Sequence, residues 1–141
     1  EKQNPSSPYG AKFSVPYCIA VGLIDGQAGL KQFTNERLND QKVKHLSSKI
    51  SYEINPNDEY PKNYTGDIKI FTKDGKQYSA SQNCLRGGRK APLFKDEVER
   101  KFEANLKFGN IQLNEINELK HFINNIFDFD SLKLIDKIKF N

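Results

Sequence analysis

The side chain that best combines reactivity with a constrained position is the phenol of Tyr17. It lies in the first turn of an apolar segment, residues 13–26, with the sequence FSVPYCIAVGLIDG. A helix of this composition must be buried, so a tyrosine at its start needs a polar partner. Two interpretations stay open at this point. Tyr17 is either a core residue bonded to a backbone carbonyl, or an active-site phenol that donates a proton or a hydrogen bond to an anionic substrate at a helix N-terminus.

A basic glycine loop, Arg86-Gly87-Gly88-Arg89-Lys90, is the second candidate. Three cations and two flexible glycines could hold a carboxylate or phosphate through guanidinium and backbone N–H groups. The glycine spacing matches neither a P-loop nor a dinucleotide-binding fingerprint. A solvated connector between two elements is the alternative interpretation of the same residues.

The histidines and cysteines form no recognisable catalytic or metal-binding pattern. His45 and His121 fall on helical patterns among charged neighbours, and we predict that both lie on the surface. Cys18 and Cys84 are far apart and match no metal spacing, which favours two reduced thiols. We expect neither a metal nor a cofactor, and the chain alone offers no Ser-His-Asp or Cys-His arrangement.

Length and composition bound the class of protein. The chain has 141 residues, ten Phe and six Tyr, which is enough for one folded domain. Its 22 basic and 18 acidic residues are mixed along the sequence, so we expect no nucleic-acid partner. No apolar run is long enough to span a bilayer, so we expect no membrane association and a cytoplasmic location. The chain begins at Glu1 and contains no Met, which suggests a piece cut from a longer polypeptide.

The elements around Tyr17 are predicted from local signals. Residues 1–10 are polar and rich in Pro and Ser, as in a linker or chain end. A helix follows from about Ser14, its cap, to the left-handed stop at Gly26, with Pro16 early in its first turn. A short turn at residues 30–33 then leads to a helix capped by Asp40 that runs to about residue 49.

The middle of the chain has strand patterns, and helical patterns follow. Residues 50–54 and two segments on either side of Asp74-Gly75 alternate apolar and polar side chains, and the Asp-Gly pair predicts a type I′ hairpin. Further helices are predicted after caps at Asp96 and Asn114, with a last amphipathic piece over residues 130–140. We therefore predict an α+β domain in which helices cover one face of a small antiparallel sheet of about three or more strands.

Five motifs, in order along the chain, resemble the MmgE/PrpD family. The first is FSVPYCIAVGLIDG (residues 13–26), which is followed by QFT (residues 32–34). The other four are Tyr60-Pro61, IKIFTKDG (residues 68–75), Arg86-Gly87 with Pro92-Leu93, and ERKF (residues 99–102). The family includes 2-methylcitrate dehydratases, cis-aconitate decarboxylases and iminodisuccinate epimerases. The likeness covers about residues 11–106, and the helices from residue 114 onward fit only loosely.

This resemblance implies a fold and a set of partners. Residues 11–108 would be the smaller α+β domain of such an enzyme, and residues 109–141 would return to a large helical domain in the same polypeptide. The full-length enzyme would be a homodimer. Its substrate would be a small di- or tricarboxylate such as 2-methylcitrate.

The resemblance also implies a chemistry: proton abstraction or donation next to a carboxylate, followed by loss of water, loss of carbon dioxide or reprotonation. Tyr17 matches the family's active-site tyrosine and is the predicted catalytic residue. Arg86, Gly87 and Gly88 would form a lip near the cleft and contact the substrate. Most other acid–base residues would lie outside this chain, so we expect it to be inactive alone. The alternative is a non-catalytic anion-binding or interaction module.

The chain also departs from the family pattern at two positions. The helix after Pro92-Leu93 usually begins with Ser or Thr, whereas Phe94 stands there, and we expect Asp96 to take over the cap. The loop usually carries an acid or a histidine after its first glycine, whereas Gly88 has no side chain. A catalytic role for the loop is therefore not predicted.

Overall fold

The computed structural model describes residues 3–128, 131 and 133. The chain divides into two compact units, residues 1–53 with 102–141 and residues 54–101. The described residues have an α+β fold, as predicted. None of the described helices combines the length and the apolar character that crossing a bilayer requires. The helix expected over residues 130–140 lies outside the described residues.

The described residues contain six α-helices, two 3-10 helices and two strands, joined by loops. The α-helices are α1 (Pro8–Ala11), α2 (Val15–Asp25), α3 (Asn35–Leu38), α4 (Gln41–Ser47), α5 (Lys95–Phe108) and α6 (Leu113–Asn124). The 3-10 helices are Leu30–Phe33 and Ile126–Asp128, and the strands are β1 (Gly66–Phe71) and β2 (Gln77–Gln82). The predicted helix at residues 14–24 and the turn at residues 30–33 are confirmed.

Helix α2 begins and ends where its sequence signals predict. The Ser14 side chain accepts a hydrogen bond from the backbone N–H of Tyr17 at 3.2 Å, and Pro16 occupies the first turn, where no N–H is needed. Gly26 ends the helix with φ of 71°, a conformation that a Cβ would strain. The helix packs on α4 through a buried cluster: Ala11, Tyr17, Ala20, Val21, Leu38 and Val43.

Helix α4 is held at both ends by side chains. The Asp40 carboxylate accepts hydrogen bonds from the backbone N–H groups of Lys42 at 2.7 Å and Val43 at 3.3 Å, as its predicted role as cap requires. The Gln3 amide donates to the carbonyls of Ser47 at 2.8 Å and Ile50 at 2.9 Å, which satisfies acceptors that a helix C-terminus leaves open. Part of the segment expected to be a linker is thus bonded to the fold.

The sheet has two strands in the described residues, β1 and β2, paired antiparallel from Gly66 opposite Gln82 to Phe71 opposite Gln77. The third strand expected at residues 50–54 is not confirmed, because this segment forms no ladder. Its Tyr52 and Ile54 side chains are 58% and 87% exposed. Alternation predicts a strand only where another strand supplies hydrogen bonds and one face is covered.

The hairpin turn is longer than the predicted two-residue Asp-Gly turn. Thr72 N–H donates to the Lys76 carbonyl at 2.9 Å, and Gly75 N–H donates to the Thr72 carbonyl at 3.1 Å. Among the loop residues Lys73, Asp74 and Gly75, only Gly75 has a positive φ, of 81°. The loop is therefore a turn followed by a left-handed glycine, because a type I′ turn would also force Asp74 to positive φ.

The cap of α5 is Phe94 rather than the expected Asp96. Val98 N–H donates to the Phe94 carbonyl at 3.2 Å, and the Glu97 carboxylate accepts from Phe94 N–H at 2.9 Å. Asp96 lies inside the first turn and pairs with Arg100 at 2.8 Å. Helix α5 therefore begins at the position that the family pattern gives to Ser or Thr.

The cap of α6 is likewise shifted from the prediction. Gln112 takes this position instead of Asn114, and the Glu115 carboxylate accepts from Gln112 N–H at 3.0 Å. In both helices a glutamate three residues after the cap reaches back to it. That glutamate was the better signal for the helix start.

Candidate active site

Tyr17 is buried at the start of α2 and its phenol is bonded to the protein backbone. The side chain is 2% exposed, and its ring lies 5.9 Å from the ring of Phe33 at an interplanar angle of 45°. The phenolic O–H donates to the backbone carbonyl of Gln32 at 2.5 Å. The polar partner expected for a buried tyrosine is thus the backbone carbonyl of Gln32, in the 3-10 helix Leu30–Phe33.

The surroundings keep Tyr17 protonated. Burial raises the pKa of the phenol above its ordinary value of 10.0, and the guanidinium of Arg37 only partly opposes this effect. The carboxylates of Asp25 and Asp40 raise this pKa further. At neutral pH the group is therefore a hydrogen-bond or proton donor and not a base.

The carbonyl that accepts the phenolic proton belongs to a residue whose side chain is fixed at both ends. Gln32 is 6% exposed. Its side-chain oxygen accepts from Gly29 N–H at 3.0 Å, and its NH₂ donates to Asp25 Oδ2 at 2.9 Å. These bonds restrict the rotation of Gln32 and hold the 3-10 helix against the end of α2.

Arg37 joins this group to α4. Its two terminal nitrogens pair with Asp25 Oδ1 and Asp40 Oδ2, each at 2.5 Å, and the three side chains are only 20–29% exposed. The Nε atom of Arg37 is buried and has no hydrogen-bond partner among the described residues. We call the set Asp25, Gln32, Arg37 and Asp40 the Arg37 network.

Sequence reasoning did not assign a role to Gln32 or Arg37, although a signal was present. Asp25 is an acid in the last turn of α2, where the helix macrodipole disfavours negative charge. Such a residue requires a nearby cation or donor. Arg37 follows Asp25 by twelve residues and is its ion-pair partner in the structure.

A small cavity of about 40 Å³ adjoins Tyr17. Its other walls are residues 3–5 and the side chains of Leu38, Lys44 and Ser47. A water molecule needs roughly 10–15 Å³ by the same measure, so the cavity suits a few waters and not a di- or tricarboxylate.

The basic loop is a tight turn of the second unit. Arg86 pairs with Glu97 of α5. The N–H groups of Gly87 and Gly88 donate to the carbonyls of Ala91 at 2.7 Å and Leu85 at 3.1 Å. These two N–H groups are therefore engaged within the loop, and the anion cradle expected from them is not formed in this conformation.

Residues 1–122 match the family described as the MmgE/PrpD C-terminal domain. The chain belongs to this family. The resemblance carried by the ordered motifs is thereby confirmed, and the match reaches the N-terminal segment and most of α6.

Two cis-aconitate decarboxylases are similar to this MmgE/PrpD domain. The mouse protein is 29% identical over 103 residues, which are 72% of this chain and 21% of that protein. The human protein is 24% identical over 132 residues, which are 93% of this chain and 27% of that protein. The chain therefore spans about a fifth to a quarter of the length of these curated relatives.

The histidines and cysteines of the MmgE/PrpD domain are the remaining candidates from the sequence. His45 and His121 are exposed, as predicted. Both cysteines are free, and burial raises the pKa of the Cys18 thiol, which disfavours the reactive thiolate. Across the described part of the chain, no three His, Cys, Asp or Glu side chains come together as a metal site would require.

Proposed function

We propose that this chain is the C-terminal domain of an MmgE/PrpD-type enzyme, a lyase or epimerase that acts on a small di- or tricarboxylate. The observation that carries this proposal is the family match over residues 1–122. Both relatives described above are cis-aconitate decarboxylases, which makes cis-aconitate the first substrate to test, beside 2-methylcitrate and iminodisuccinate. Because the chain spans a minor part of these relatives, the activity belongs to the full-length protein.

Tyr17 serves as a proton donor, or as the hydrogen-bond partner of a substrate carboxylate or leaving hydroxyl. Its burial and raised pKa support this role, because both keep the O–H intact at neutral pH. The O–H now points to the Gln32 carbonyl, and rotation about the C–O bond can redirect it. Because the cavity of about 40 Å³ beside Tyr17 suits only a few waters, the phenol would reach the substrate through a water or after this cavity widens in the full-length protein. A donor at the start of a helix also lies where an anion is stabilised.

The donor role is compatible with each reaction class that the family suggests. In a decarboxylation the bond to a carboxylate breaks, carbon dioxide leaves, and the electron pair left on carbon takes up one proton. In a dehydration a proton next to a carboxylate is removed, and the hydroxyl leaves as water after it gains a proton. In an epimerisation the carbon that lost a proton regains one on its other face. Tyr17 supplies the proton that is gained in each reaction. The dehydration and the epimerisation also need a base, outside the Arg37 network, that removes the first proton, whereas the decarboxylation needs none.

A non-catalytic anion-binding module is the second candidate. Its support is the exposed side chains of Arg89 and Lys90, for which the described part of the chain shows no ion-pair partner. Against it stands the engagement of the Gly87 and Gly88 N–H groups within the loop. If R89A/K90A abolished calorimetrically measured citrate binding while activity on all three carboxylates was absent, this module would replace the enzyme proposal.

The test of the enzyme proposal is turnover by the full-length protein on cis-aconitate, 2-methylcitrate and iminodisuccinate. We expect one of these to be converted, and Tyr17→Phe to lower kcat on it by about 10²–10⁴-fold, the usual contribution of a positioned acid or base. Tyr9→Phe is the matched control, because it deletes the same oxygen from a ring that is 71% exposed. A kcat for Tyr17→Phe within about twofold of the parent would overturn the role of Tyr17, and no turnover of any substrate would overturn the enzyme class.

A further inference from the structure

We infer that Arg37 is a positioning residue for Tyr17, which acts through Asp25 and Gln32 on the carbonyl that holds the phenolic proton. The inference rests on the proposed function of Tyr17 and adds a residue to it. Its basis is a continuous series of short polar contacts from the guanidinium to the phenol, formed by partly or fully buried groups.

The first link is Gln32. Its backbone carbonyl accepts from Tyr17 at 2.5 Å, while its side chain bonds Gly29 at 3.0 Å and Asp25 at 2.9 Å. A carbonyl fixed in this way determines where the phenolic oxygen lies and which direction the O–H takes at rest. A shift of Asp25 would turn the Gln32 side chain and move this acceptor with it.

The second link is Asp25, which uses both carboxylate oxygens. Oδ2 accepts from Gln32 and Oδ1 from Arg37. As an acid in the last turn of α2, it is destabilised by the macrodipole of its own helix. The guanidinium at 2.5 Å offsets this effect and holds the carboxylate in place beside Gln32.

The third link is the guanidinium fork of Arg37. One terminal nitrogen binds Asp25 at the end of α2, and the other binds Asp40 at the start of α4. A lysine ammonium keeps the charge but lacks the planar fork that reaches both carboxylates at once. Arg37→Lys therefore removes the bidentate geometry of the guanidinium while it keeps the positive charge.

The electrostatic effects agree with this arrangement. Arg37 lowers the pKa of Tyr17, whereas Asp25 and Asp40 raise it, so the network charges act on the phenol itself.

The test compares Arg37→Lys and Asp25→Asn with Arg100→Lys in the full-length protein. Arg100 is a matched control, because it forms a 2.8 Å ion pair with Asp96 in which both side chains are about 70% exposed. Two readouts are needed. The first is kcat and KM on whichever of the three carboxylates the full-length protein converts, and the second is the 13Cζ resonance of Tyr17 in tyrosine-labelled protein, assigned by its loss in Tyr17→Phe. Both readouts are recorded under conditions in which circular dichroism shows that each variant is folded.

We expect Arg37→Lys and Asp25→Asn each to move the Tyr17 resonance toward that of exposed tyrosines. We also expect each to lower kcat by roughly 10- to 100-fold with KM within about twofold, as a displaced catalytic group would. The double variant should lose little more than either single one, because both break the same series of contacts. Arg100→Lys should change neither readout.

The outcomes separate this inference from the function it rests on. An unmoved Tyr17 resonance in both folded variants would overturn the positioning role, even if their stability fell. A moved resonance with unchanged kcat would uphold the positioning role and overturn the catalytic one. If Arg37→Lys does not fold, Asp25→Asn alone decides, since it retains an oxygen acceptor for Gln32.

Discussion

The phenolic oxygen of Tyr17 lies 2.5 Å from the carbonyl oxygen of Gln32, fifteen residues further along the chain. This bond joins the start of α2 to the 3-10 helix Leu30–Phe33, where the ring of Phe33 also packs on Tyr17. Both oxygens are buried, so each would be costly to leave without a partner. The same contact therefore stabilises the fold and holds the donor of the proposed reaction.

Tyr17→Phe should lower the free energy of unfolding by about 1–3 kcal/mol, because it leaves the buried Gln32 carbonyl without its donor. Urea unfolding followed by circular dichroism measures this change. Tyr9→Phe should stay within roughly 0.5 kcal/mol of the parent, as expected for an exposed site. Equal stability of the two variants would show that the Tyr17 hydrogen bond contributes nothing.

Alkaline pH should destabilise the parent more steeply than Tyr17→Phe. The pKa of Tyr17 is raised in the fold above the 10.0 of an unperturbed tyrosine, so between these two values the unfolded chain releases a proton that the folded chain keeps. Stability from this residue is thus complete below pH 10 and declines by about 1.4 kcal/mol per pH unit until the folded pKa is reached. Unfolding curves between pH 8 and pH 11 test this, and parallel pH profiles of the two proteins would contradict it.

Helix α2 was predictable because its signals are local. Ser14, Pro16 and Gly26 act on backbone groups within one turn of themselves, and the structure places all three as predicted. The family was predictable for a related reason, since five ordered motifs are more specific than any single one. Neither conclusion required knowledge of a contact distant in sequence.

The features that the sequence did not reveal depend on partners elsewhere. Residues 50–54 have strand alternation, but in the described residues no neighbouring strand pairs with them. Whether Tyr17 is a core or a catalytic phenol could not be decided, because its acceptor is a backbone carbonyl that any residue at position 32 would supply. The Arg37 network was missed for the same reason: its carboxylates come from two different helices.

Substitution by alanine should change the stability of the protein in opposite directions at Gly22, inside α2, and at Gly26, the C-terminal cap of α2. Gly22 lies in the helix interior, and apart from its chain neighbours and the backbone of its own helix nothing lies within 4 Å of the place that an added Cβ would take. Gly22→Ala should therefore stabilise the protein by about 0.5–1 kcal/mol. Gly26 is equally open but has φ of 71°, so Gly26→Ala should destabilise it by roughly 1–2 kcal/mol. Urea midpoints of the pair provide the measurement, and a Gly26→Ala variant as stable as Gly22→Ala would refute the conformational explanation.

Phe94→Ser should stabilise the start of α5. Phe94 occupies the cap but is 73% exposed and has no side-chain acceptor for the first helical N–H groups, whereas Glu97 already accepts from the Phe94 backbone. A serine would complete a reciprocal capping box, and a serine cap is worth about 0.5–2 kcal/mol over alanine. Slower hydrogen exchange of the Asp96 and Glu97 amides and a higher unfolding midpoint are expected for Phe94→Ser relative to Phe94→Ala. Because both variants remove the same exposed ring, identical exchange rates would show that the hydroxyl does not cap α5.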